Sequence, residues 1–223
     1  AVEARIPPPR SENAHVVRRA LESGANPDAR GGWNLDSALI GATVGGFRDI
    51  IDILLENGAT VDGYTACALG DVSAVAQVIE SDESFPLTPD ESGMYAIHAC
   101  CRSRMGCGDD ATSDRLVAVL QLLLDRGADI DQRPDHVEGK VANFGYTPLG
   151  WSVPGGNTQL VERLLACGAD TSAPGSGDRA LQCAAQDAHD IGELLLRHGI
   201  DIDGHALHGQ ANFPHPLAVE WLI

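Results

Sequence analysis

The chain has 223 residues, 43% of them apolar and only 4% aromatic, and its 32 acidic against 15 basic side chains leave a formal charge of −17. Such a surface repels phosphate backbones and anionic membranes, which argues against nucleic-acid and membrane partners and favours a protein with a basic patch. No apolar run approaches the ~20 residues of a spanning helix, and no charged-then-apolar signal segment opens the chain. It begins Ala1-Val2 and ends Leu222-Ile223 inside a helical pattern, which leaves room for a longer protein around it.

Residues 1–10, with Pro7-Pro8-Pro9, show no periodicity and read as an extended arm. Ser11 is placed to cap a helix carrying Val16, Val17, Ala20 and Leu21, a half unit. A full unit runs from about Trp33 to Gly58, with Ser37-Ala38-Leu39 opening its first helix and Asp49 to Leu55 forming its second. The next starts early, at Asp62-Gly63-Tyr64-Thr65, continues through Ala66 to Val72 with Val75, Val78 and Ile79, and ends near Ser81-Asp82. Ser84 to Asp90 reads as an irregular link. A third unit holds Tyr95 to Cys101 and a second helix from Leu116 to Asp125.

The fourth unit is the clearest. Thr147-Pro148 starts a helix where the missing proline N–H costs nothing, and Gly155-Gly156 breaks it. Leu160, Val161, Leu164 and Leu165 line one face of the following helix, which Gly168 stops in the left-handed conformation. That stop recurs as Gly24-Ala25-Asn26, Gly58-Ala59-Thr60, Gly127-Ala128-Asp129, Gly168-Ala169-Asp170 and Gly199-Ile200-Asp201, each after an apolar pair. The glycines are 34, 69, 41 and 31 residues apart, and the 69 contains the unit at Ala66 to Ile79, which lacks the final glycine. A fifth unit joins Ala180 to Ala185 with Ile191 to Leu196, and Ala206-Leu207-His208 with Leu217 to Ile223 reads as a capping unit. Helix pairs of this length leave an apolar face open until a neighbour stacks on it.

Thr147-Pro148-Leu149 followed by Leu164-Leu165-Ala166-Cys167-Gly168-Ala169-Asp170 resembles an ankyrin repeat, a family with a repeat of about 33 residues. The resemblance implies an all-α ankyrin-repeat solenoid over residues 11–223, with about five full repeats and partial caps. Against the family template, surplus residues fall near 103–114 and 133–143. The two insertions flank one helix and are expected near each other, on or beside the binding face.

The resemblance further implies protein–protein recognition through the concave face and hairpin loops. The repeat register puts Trp33, Asn34 and Asp36; Glu91, Ser92 and Met94; Asn143, Phe144 and Tyr146; and Ser176 and Asp178 on that strip, with Trp151 facing the groove. Aromatic anchors would supply affinity, and Asp36, Glu91 and Asp178 would suit arginine or lysine on the partner. His98 and His208 match the family's Thr-Pro-Leu-His position, where the imidazole bonds backbone. Cys67, Cys100, Cys101 and Cys183 match its small-residue positions.

His98, Cys100, Cys101 and Cys107 lack paired metal-ligand spacing, so packing is the expectation and no metal or cofactor is assigned. His205, His208 and His215 are read as structural as well, and His136 with Asp135 and Glu138 as a solvated loop tip. No nucleophile elbow or phosphate-binding loop is present. The expected molecule is a monomeric, cytoplasmic, non-enzymatic binding module whose partner is another protein carrying a basic patch. Two alternatives stand beside it. One is an acidic inhibitor or immunity-type protein blocking a basic effector. The other is an enzyme with a pocket walled by the two insertions, using Asp109, Asp110, His136 or His98 as acid/base groups.

Overall fold

The computed structural model describes residues 13–31, 36–136, 145–173 and 189–200. Helix α1 spans Ala14–Glu22. A two-residue antiparallel hairpin, β1 (Arg30–Gly31) with β2 (Asp36–Ser37), leads into α2 (Ala38–Gly45) and α3 (Arg48–Glu56). Then come α4 (Gly63–Leu69), α5 (Val72–Ser81), a 3-10 turn at Phe85–Leu87, α6 (Ala96–Cys101), α7 (Asp110–Asp125), α8 (Pro148–Gly155), α9 (Thr158–Ala166) and α10 (His189–Arg197). The expected Ser11 cap, the first helix of the fifth unit and the last unit lie outside the described residues.

Local chemistry sets the helix ends. Side-chain oxygens of Ser37, Asp62, Asp71, Asp109, Thr147 and Asn157 accept a backbone N–H from the first turn of α2, α4, α5, α7, α8 and α9. The glycine stops are Schellman caps. After α3, Gly58 sits at φ 82°, its N–H donates to Leu55 O at 3.0 Å, and the Ala59 N–H reaches back to Leu54 O at 3.0 Å. The same two bonds close the helices before Gly24, Gly127, Gly168 and Gly199. Each apolar pair seen in the sequence therefore supplies the two accepting carbonyls. The residue after the glycine folds back onto the core, where Ala59, Ala128, Ala169 and Ile200 are buried. Helix α5 has no such glycine; the chain leaves it extended at Asp82 and turns through Phe85–Leu87.

First helices α2, α4, α6 and α8 pack in file, and α5, α7, α9 and α10 form a second file behind the later ones. Stacking completes what each pair leaves open: one apolar cluster runs from Ala66 to Ile200, with Leu116, Leu120, Leu149, Leu160 and Leu195 almost wholly out of water. A smaller cluster joins Leu39, Ile51 and Leu54 to α1 through Val17 and Leu21.

One expectation about the surplus near 103–114 changes. Helix α7 begins at Asp110, six residues before Leu116, because Asp109 caps Thr112 N at 3.1 Å and Thr112 and Ser113 are buried. Only the loop 102–109 remains irregular. The described residues of the second insertion, 133–136, follow the other end of this 16-residue helix, about 24 Å long at 1.5 Å per residue.

Candidate functional site

On the first-helix side, which the repeat register makes the inner face, units one and three touch across unit two. Asp36, at the entrance to α2, meets Arg102, which follows α6 directly: the guanidinium donates through two nitrogens at 3.2 and 2.6 Å. Both side chains are largely removed from water, 5% of Arg102 and 17% of Asp36 remaining exposed. Helix α8 supplies the next layer. Arg102 lies 5.2 Å from the centre of the Trp151 ring, and Trp151 meets Tyr146 edge-on at 5.1 Å. Asp36, Trp151 and Tyr146 thus share one constellation, joined by an arginine that the sequence strip omitted.

That corrects the role expected of Asp36. Its carboxylate is engaged by this chain's own guanidinium, rather than presented for a partner's base. Met94 is corrected too, since it is only 3% exposed. The carboxylate of Asp90 accepts the N–H groups of Ser92 and Met94, at 2.8 and 3.0 Å, and the Asp90 N–H donates to Met94 O at 2.8 Å. This tight loop turns the thioether inward and leaves Glu91 exposed at its tip. Ser92 is buried with it. Tyr146 and Trp151 are half-buried. Trp33, Asn34, Asn143, Phe144, Ser176 and Asp178 lie outside the described residues, as do Glu138, Cys183, His205, His208 and His215.

His98 and Asp109, two of the groups considered for acid/base work, are engaged within the fold. His98 Nδ1 accepts the Tyr95 N–H at 3.0 Å, so Nε2 carries the proton and donates to Gln132 O at 2.8 Å, binding one unit to the next hairpin. Burial pushes His98 down to about 4, against the opposing bond to Gln132 and helped by the positive Arg102. The Cys100 thiol donates to Leu116 O at 3.4 Å, and burial raises the thiols of Cys67 and Cys101. Asp135 accepts the Tyr95 hydroxyl at 3.1 Å, and its own N–H donates to Gly93 O at 2.8 Å. Asp109 caps α7 and pairs with Arg48 at 2.7 Å. The bonds it takes from Thr112 hold its carboxyl below the ordinary value. Asp109 and His136 stand beyond opposite ends of α7.

On the hairpin edge, aspartates link successive turns. Asp28 accepts the Thr60 N–H at 2.7 Å and its hydroxyl at 2.8 Å; Asp131 accepts the Asp170 N–H at 2.9 Å. The Thr60 bonds lower Asp28. Burial raises Asp131, with the Asp170 and Asp129 charges adding to it.

A sequence model described as ankyrin repeats matches residues 110–205 in three copies, the stretch that begins with α7. Residues 110–205 of the chain carry ankyrin repeats. Ankyrin repeats generally mediate protein–protein interaction, and the family is typically a non-enzymatic binding module. One relative is a Caenorhabditis elegans homolog of transient receptor potential cation channel subfamily A member 1, 27% identical over 178 residues. The match takes in 75% of this chain but 13% of that protein, so the chain spans a small part of the relative's length. Among solved structures, the human ASB11 ankyrin repeat domain matches at 21% identity, covering 87% of this chain and 86% of that one, with a TM-score of 0.49.

Sequence reasoning missed Arg102 because an arginine after a helix reads as solvated surface. The available signal was its place at the end of Ala96–Cys101, a helix that is buried throughout.

Proposed function

We propose that this protein recognises a basic segment of another protein along its inner face. The observation carrying the reading is a surface with 32 acids against 15 bases. On it, exposed Glu91 and the half-buried Tyr146–Trp151 pair belong to the loops and first helices of adjoining units. Acid steers and orients a basic partner, and the aromatic pair supplies apolar contact area. Trp33, Asn34, Phe144 and Asp178 extend the proposed strip along the same register. The protein acts as a monomer in this reading. A reducing, cytoplasmic setting is supported by the free thiols of Cys67, Cys100, Cys101, Cys107 and Cys167.

Capture of partners from cell extract at about 50 and about 500 mM salt, with the wild type and a Glu91→Lys/Tyr146→Ala variant, tests the proposal. The expected result is a basic partner held at low salt and lost both at high salt and by the variant. Retention unchanged by salt and by the variant refutes it.

A further inference from the structure

We propose that the loop of residues 102–109 is a brace that sets the curvature of the stack, tying units one, three and four to one another directly. In a plain solenoid each unit contacts only its neighbours, and stability is a sum of unit and nearest-neighbour contributions. Here the ties skip unit two. The Arg104 N–H donates to Thr43 O in α2 at 3.1 Å. Arg48, opening α3, donates to Met105 O at 2.6 Å and to Asp109 at 2.7 Å. Met105 is 7% exposed and is packed into the apolar cluster of α1, α2 and α3 rather than that of its own unit. Arg102 adds its pair with Asp36.

The loop and the first turn of α7 that it leads into grip unit four from the other side. The Ser113 hydroxyl donates to Asn157 Oδ1 at 2.5 Å. A Cβ built on Gly155 would come within 3.2 Å of Ser103 O, and one on Gly106 would fall 2.3 Å from Asn157 Nδ2. Gly155 lets the end of α8 approach the loop's backbone, and Gly106 leaves room for the Asn157 side chain. A contact set that is half backbone and half packed side chain has one arrangement, so straightening the stack requires breaking it as a whole. The inner face is therefore held at one width before anything binds. This holds whatever the inner face recognises.

Hydrogen exchange on the intact chain tests the brace. In the wild type, amides of α2–α3 and of α8–α9 are expected to share one opening event despite the two units between them. Asp109→Ala and Gly106→Ala, both outside unit one, are expected to speed exchange in α2–α3 by about tenfold while α5 stays protected. A nearest-neighbour stack would instead pass the change to unit one only through α4 and α5. Leu87→Ala, at an exposed site away from the loop, is the control and is expected to change neither. The brace is overturned by independent opening of α2–α3 in the wild type. Unchanged α2–α3 exchange in both variants, or α5 loosening in step with α2–α3, overturns it equally.

Discussion

Severing the pair between Arg102 and Asp36 gives the sharpest view of how the inner face is held. Arg102→Met keeps most of the side-chain volume but removes the guanidinium. It leaves the Asp36 carboxylate with 17% exposure and without its two charge-assisted hydrogen bonds. Breaking one side of a buried pair costs about 3–5 kcal/mol, and the residual water access of Asp36 points to the low end, about 3. Loss of the cation over Trp151 adds about 1 kcal/mol, for about 4 in total. Asp36→Asn strands the more deeply buried partner, so it is expected to cost at least as much. Removing both leaves no uncompensated charge. The double variant should therefore be less destabilised than the two single costs together, by about 2 kcal/mol. Urea denaturation followed by circular dichroism measures all three, with the slope checked for constancy because repeat arrays can unfold in stages. Additivity within about 0.5 kcal/mol would show that the two residues are not coupled and would remove the pair from the account.

Further predictions concern the joints of the stack. His98 has a folded pKa of about 4 against an ordinary 6.5, so below pH 6.5 the unfolded chain takes up a proton that the folded one refuses. Its stability contribution is complete above pH 6.5 and is lost as pH falls toward 4, about 3 kcal/mol in all, and His98→Asn should flatten denaturation curves across that window. Glycines separate cleanly by surroundings: Gly41→Ala in α2 meets nothing within 4 Å and should stabilise by about 0.5–1 kcal/mol. Gly106→Ala drives a methyl into Asn157 and should destabilise by about 1–3 kcal/mol in the same thermal melts. Ser37→Ala removes the acceptor that caps Ile40 N at 3.2 Å and should cost about 1 kcal/mol, read as a lower denaturation midpoint.

Legibility followed range. The glycine stops, their apolar pairs and the unit lacking its glycine between Ala66 and Ile79 were readable because a Schellman cap is closed by residues within six positions of one another. His98 was readable for a related reason, since its Nδ1 acceptor role is fixed three residues away at Tyr95. Glu91 kept its expected exposure, whereas Met94 did not, because a register assigns a residue to a loop without saying how that loop is bonded inside. Asp36 and Arg102 are 66 positions apart, and Arg48 and Asp109 are 61 apart. No periodic pattern carries such pairs. They exist because the loop after α6 reaches past unit two to α2 and α3. The chain's own pattern was enough to specify the units and their order. The occupancy of the inner face by Arg102, and the passage of Met105 into a core two units away, are decided only where the folded loop crosses unit two.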